Sequence, residues 1–200
     1  MQLGPFAEGS HNQRMPVLRL GLLTLLITMA PSWGKTGWAN QNDTRLDSLF
    51  SQLQITGSGQ KARTIEKFIW KIWRESGDVS VDQLMVDGVK AMGGGNYEGA
   101  LIAFNSIVKG APNFAEGWNK RATLYWLMGD FEKSVEDINR TLALEPRHFG
   151  ALSGLAMIRE SQERPLDALQ AFERALEIYP AMPNAAERIR KLNRQLGEPI

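Results

Sequence analysis

Cysteine is absent from this 200-residue sequence, which removes a disulfide framework, a thiol nucleophile, a zinc–thiolate site and a lipid-modified cysteine together. Histidine is nearly absent too: His11 lies near the start, and His148 falls between two predicted helices. His148 has no second histidine at ligand spacing, and Pro146 breaks any helix that would align it with Glu145, so no metal is expected. An excess of one charge is also lacking. The formal net charge is +1, and beyond residue 39 it is −1, from 20 basic and 21 acidic residues. That balance offers no electrostatic footprint for nucleic acid. The run Gly93-Gly94-Gly95 follows a helical pattern rather than a strand and lacks a lysine-threonine completion, so it reads as a turn rather than a phosphate cradle. With no nucleophile–base pair, metal cluster or cofactor loop, neither an enzyme nor a cofactor is expected.

Long apolar runs are confined to residues 15–39, MPVLRLGLLTLLITMAPSWGKTGWA, where Arg19 precedes an apolar stretch from Leu20 to Ala30 and then small residues. This is the layout of a signal peptide, and the stretch is shorter than the ~20 residues a membrane-crossing helix requires. Cleavage is expected after Ala39, two residues past Gly37, with Ser32-Trp33-Gly34 as the second choice. Met15 is the more usual start for such a leader. The expected location is therefore periplasmic or secreted, the alternatives being an uncleaved anchor or an organelle transit peptide.

What the sequence does have is a repeat. Pro112, Pro146 and Pro180 are spaced by 34 residues, and the same residue classes return between them: Tyr97, Phe131 and Pro165; Ala100, Ser134 and Ala168; Phe104, Ile138 and Phe172; Ile107, Thr141 and Ala175. A period of about 34 residues is that of a helix-turn-helix solenoid unit. The units run over residues 81–114, 115–148 and 149–182, with turns at Gly93-Gly94-Gly95-Asn96, Gly129-Asp130 and Glu163-Arg164-Pro165. The second unit closely resembles the tetratricopeptide repeat (TPR) family, with Trp118, Ala122, Tyr125, Gly129, Phe131, Ser134, Ile138 and Pro146 on its fingerprint positions. The stretch from Glu116 to Tyr125 looks like exported and organellar members of that family. Departures are Leu84 and Ala91 in the first unit, Leu152 and Arg159 in the third, and Glu163 in place of the turn glycine. The resemblance implies an all-α, right-handed solenoid of helical hairpins with a concave surface.

Two further segments flank the repeats. In residues 40–79, Leu46, Leu49, Phe50 and Leu53 form one amphipathic stripe, with Asn42 or Asp43 as cap, and Ile65, Phe68, Ile69, Ile72 and Trp73 form a second. This predicts a helical hairpin whose second helix covers the open end of the first repeat. Ser80-Val81-Asp82-Gln83 reads as a capping box that starts the repeats. In residues 183–200, Ala185, Ile189, Leu192 and Leu196 form the apolar side of a capping helix, with Arg188, Arg190, Lys191 and Arg194 outside.

By the resemblance, the concave surface is built from Met85, Val89 and Met92, from Asn119, Lys120, Thr123 and Trp126, and from Ser153, Met157 and Glu160. Met85 and Met157 have a second reading as core packing, since methionine fills gaps as readily as it lines surfaces. The basic clamp by which chaperone-binding members hold a terminal carboxylate is missing: Met85, Val89, Gly150 and Gly154 stand at its positions, and only Asn119 and Lys120 resemble it. The expected partner is an extended or helical segment of another protein. The alternative is a membrane-held scaffold that uses an uncleaved leader or the Trp70–Trp73 helix.

Overall fold

The computed structural model describes residues 40–57 and 59–197, and the expected leader lies outside the described residues. A 3-10 turn over Asn40–Asn42 leads into α1 (Arg45–Ile55) and α2 (Gly59–Arg74). The repeats follow as α3 (Val79–Gly93) with α4 (Tyr97–Gly110), α5 (Ala115–Leu127) with α6 (Phe131–Leu144), and α7 (Phe149–Ser161) with α8 (Pro165–Ile178). The last element is α9 (Ala185–Leu196). The described part is thus all-α, and none of its helices is long and apolar enough to cross a membrane.

The small repeat positions explain how tightly each pair closes. Ala122 and Ser134 are both buried, and the Ser134 hydroxyl donates to the Ala122 carbonyl at 2.8 Å, so α5 and α6 touch almost backbone to backbone. Between pairs, a Cβ on Gly117 would lie 2.5 Å from Ile107 Cγ2, which requires glycine where α5 meets α4. Arg121 ties three helices at once. Its guanidinium grips Asp137 of α6 through two bonds of 2.7 and 2.8 Å and donates to Asn105 of α4 at 2.8 Å.

The cap of α3 differs from the one expected. Asp78, in extended conformation, accepts from the amides of Ser80 and Val81, whereas the Gln83 amide donates forward to Asp87. A carboxylate reaching two free amides wins over the serine hydroxyl, and Ser80 sits inside the helix. At the start of α1 the side chain of Asp43 accepts from the Arg45 amide at 2.8 Å.

The N-terminal hairpin does not cover the open end of the first repeat. Together with the 3-10 turn before it, it lies along the connections that follow the three repeats, and polar contacts reach each of them. Gln41 donates to the Asn113 carbonyl at 2.6 Å; Asp47 pairs with Arg147 at 2.8 Å; Tyr179 donates to Glu66 at 3.2 Å. Burial and the neighbouring Glu66 charge push the Tyr179 phenol up to about 12, since a buried phenolate beside a carboxylate is disfavoured. Phe149 and Tyr179 join Leu46, Phe50, Leu53, Ile69 and Trp73 in one core. An apolar stripe shows which side of a helix is buried and is silent about what it is buried against. The same packing takes up the tryptophans of α2: Trp73 is 2 % exposed and Trp70 is half-buried against it in an edge-on contact.

At the other end α9 covers the third repeat as expected, with Ala185, Ile189, Leu192 and Leu196 against Phe172, Leu155 and Leu169. Arg188, partly exposed, also bonds Glu160 of α7 and lies over the Phe172 ring.

The turn residues Gly95, Gly129 and Glu163, each 34 residues from the next, all take positive φ, at 77°, 79° and 57°. For glutamate this conformation costs about 1–2 kcal/mol. Glu163→Gly is therefore expected to stabilise the protein by about 1 kcal/mol, read as a higher midpoint in urea unfolding with an unchanged slope. A lower midpoint would contradict the account of this turn.

Candidate peptide-binding cleft

A cleft of about 250 Å3 opens between α5 and α7, with α6 as its floor. Asn119, Thr123 and Trp126 line one wall, Ser153, Gly154 and Met157 the other, and Ile138 and Ala151 lie beneath. Helical spacing places the α5 residues at i, i+4 and i+7, hence on one face. The expected residues Asn119, Thr123, Trp126, Ser153 and Met157 are brought together here. Trp126, 36 % exposed, stands at the mouth. The lining carries no formal charge.

The other expected positions fall elsewhere. Met85 is 4 % exposed and packs in the core of the first repeat with Ala100, Phe104 and Leu124, because a Cβ-free Gly88 lets Phe104 close over the helix. Met92 packs partly against the same core, and Val89 is exposed on α3, away from the cleft. Glu160 is held by Arg188 and borders a separate hollow with Pro165 and Leu192. Lys120 is turned away from the cleft by an ion pair with Glu116 at 3.0 Å.

Glu116, His148 and Trp70 are the residues that the sequence reading missed at this site. Glu116 and His148 are 1 % and 0 % exposed, with Glu116 Oε2 3.1 Å from His148 Nε2. The His148 Nδ1 accepts from the Ala151 amide at 3.1 Å and caps α7, which leaves the ring proton on Nε2, where it is donated to Glu116. The same carboxylate oxygen accepts from Asn119 Nδ2 at 2.8 Å. Trp73 stacks on the imidazole at 4.1 Å between centroids and 8° between planes, and Trp70 meets it edge-on. Trp70 also packs against Gly150, where a Cβ would come within 2.7 Å of its ring. The sequence carried one signal for this network, the i, i+4 spacing of Glu116 and Lys120.

Burial pushes the Glu116 carboxyl up, but the Lys120 ammonium and the His148 hydrogen bond outweigh it and hold the carboxyl below its ordinary value of 4.5. A depressed folded pKa means that the unfolded chain binds more protons, so this contribution is present above pH 4.5 and is lost as pH falls below it. Replacing Glu116 by Gln is expected to cost about 1.5–3 kcal/mol at pH 7, the scale of hydrogen bonds to a charged group. The gap from the wild type should shrink as urea unfolding is followed from pH 5 to pH 3. A gap that does not change with pH would rule out this role for the carboxylate.

The sequence pattern of the tetratricopeptide repeat matches residues 119–183. A TPR repeat-containing protein of Rhizobium etli is 41% identical over 153 residues, covering 76% of this chain and 75% of that protein. Tetratricopeptide repeat protein 36 homolog of Nematostella vectensis is 30% identical over 106 residues, 53% of this chain and 59% of its own length. Among solved structures, the first TPR of Spaghetti (RPAP3) bound to the HSP90 peptide SRMEEVD superposes with a TM-score of 0.56 at 24% identity, over 59% of this chain and 94% of that one. MamA superposes with a TM-score of 0.56 at 20% identity, over 71% and 86%. At these identities the structures speak to the fold, and the fold agrees with the helix order, the 34-residue period and the Rhizobium relative: the chain belongs to the tetratricopeptide repeat family.

Proposed function

We propose that this protein is a non-catalytic adaptor or assembly factor that holds a segment of another protein in the cleft between α5 and α7. The observation that carries this reading is the convergence of Asn119, Thr123, Trp126, Ser153 and Met157, from two successive repeats, on one open hollow. A concave site lined by apolar groups with a few polar ones is the usual form of a recognition pocket. TPR domains generally mediate protein–protein contacts, and the related fold in Spaghetti (RPAP3) carries an HSP90 peptide. Among the described residues, no group of acidic and histidine side chains is arranged to hold a metal ion. The leader-like residues 15–39 favour an exported protein that works in a bacterial envelope.

The polar groups are partly committed inward. Thr123 donates to the Asn119 carbonyl at 2.9 Å, and Asn119 gives one amide hydrogen to Glu116. The apolar walls and the Trp126 ring therefore supply most of the attraction, by removal of apolar surface from water. Affinity capture from envelope extract is the test, with the wild type and Trp126→Ala side by side. Partners retained by the wild type should fall about tenfold or more with the variant, matching the loss of ~1.5–3 kcal/mol for a buried apolar side chain. Equal recovery by both proteins would remove the cleft as the binding site.

A further inference from the structure

The cleft has the size of one large side chain, and its electrostatics are those of an apolar hole. A closed cavity of about 150 Å3 lined by apolar groups holds a benzene ring, so 250 Å3 has room for the side chain of Leu, Met or Phe. Gly154 keeps part of that space open, for a Cβ there would stand 3.7 Å from Ile138 Cδ1, on the lining of the cleft. No charged group lines it.

The remnants of a carboxylate clamp are already occupied from within the chain. Asn119 and Lys120 both hold the carboxylate of Glu116, at 2.8 and 3.0 Å, and Lys120 further lies over the Trp70 ring at 5.4 Å. A terminal carboxylate of a ligand would enter next to a buried anion with no free cation to meet it, and an unpaired charge is costly to desolvate.

From this, and resting on the peptide-binding reading above, we infer that the cleft selects an internal segment of a partner protein by one bulky uncharged side chain, Leu, Met or Phe, and rejects a free chain end. The charge and size of the site act together. A neutral walled hole rewards apolar volume and gives nothing to an acid.

Two random heptapeptide libraries displayed on phage separate the possibilities when panned against the full chain. In one the peptides are joined at both ends, and in the other they carry a free terminal carboxylate. The joined library should enrich peptides with Leu, Met or Phe at one position. Synthetic copies with both ends blocked should bind about 10-fold or more weaker to Gly154→Leu, whose side chain fills the hole, and to Trp126→Ala. Circular dichroism monitors whether the variants fold. Should Gly154→Leu lose its helical signal, Ser153→Phe on the same wall takes its place. Enrichment confined to free carboxylates or acidic anchors would overturn the inference, yet leave the cleft as a peptide site if Trp126→Ala weakens those peptides. Undiminished binding to a folded cleft-filling variant would also overturn it, and failure of both libraries to enrich any peptide would overturn the peptide reading itself.

Discussion

The stack of Trp73 on His148 is the contact on which the rest of this molecule depends. It joins a hairpin outside the repeats to the connection between the second and third repeats, at 4.1 Å and nearly parallel planes. A pair of this kind contributes about 0.5–1.5 kcal/mol beyond the area it buries. Its larger consequence is geometric. Held under the indole, the imidazole caps α7 with one nitrogen and orients Glu116 with the other, and Glu116 in turn fixes Asn119 and Lys120. One ring thus fixes the start of α7 and the polar groups beside the cleft.

The cleft owes its neutrality to groups that lie outside it. Lys120 is cancelled by Glu116 and covered by Trp70, while Glu160 is drawn to the C-terminal helix by Arg188. Ion pairs of this type add little stability when exposed. Here they matter because they remove charge from a surface that would otherwise carry it. The hollow is lined by glycine at positions 150 and 154, and the hairpin's Trp70 packs against the first of them.

How far the sequence reveals this follows from the kind of order each feature has. The repeats are periodic, so Pro112, Pro146 and Pro180 and the small residues Ala100, Ser134 and Ala168 announce them over 34-residue steps. The stripe on α9 is legible because it has only the third repeat to cover. The α1–α2 stripe is equally clear, yet its target is a row of loops rather than the first repeat, and no local pattern encodes that choice. His148 reads as an isolated loop residue because its partners Glu116 and Trp73 are 32 and 75 positions away and meet it only when the repeats stack and the hairpin docks. Met85 and Glu160 are misassigned for a related reason: a family position specifies a direction along the helix, whereas Phe104 and Arg188 decide what occupies it.

The central claim is that the N-terminal hairpin is an integral wall of the repeat domain and not an appendage. Native-state amide hydrogen exchange under increasing denaturant tests it most directly, since it resolves which segments open together. The account predicts that the core amides of α2 around Ile69 and Trp73 open in the same cooperative step as those of α5 and α7. Exchange of α2 in a separate step of much lower free energy, with α5 and α7 still protected, would contradict it.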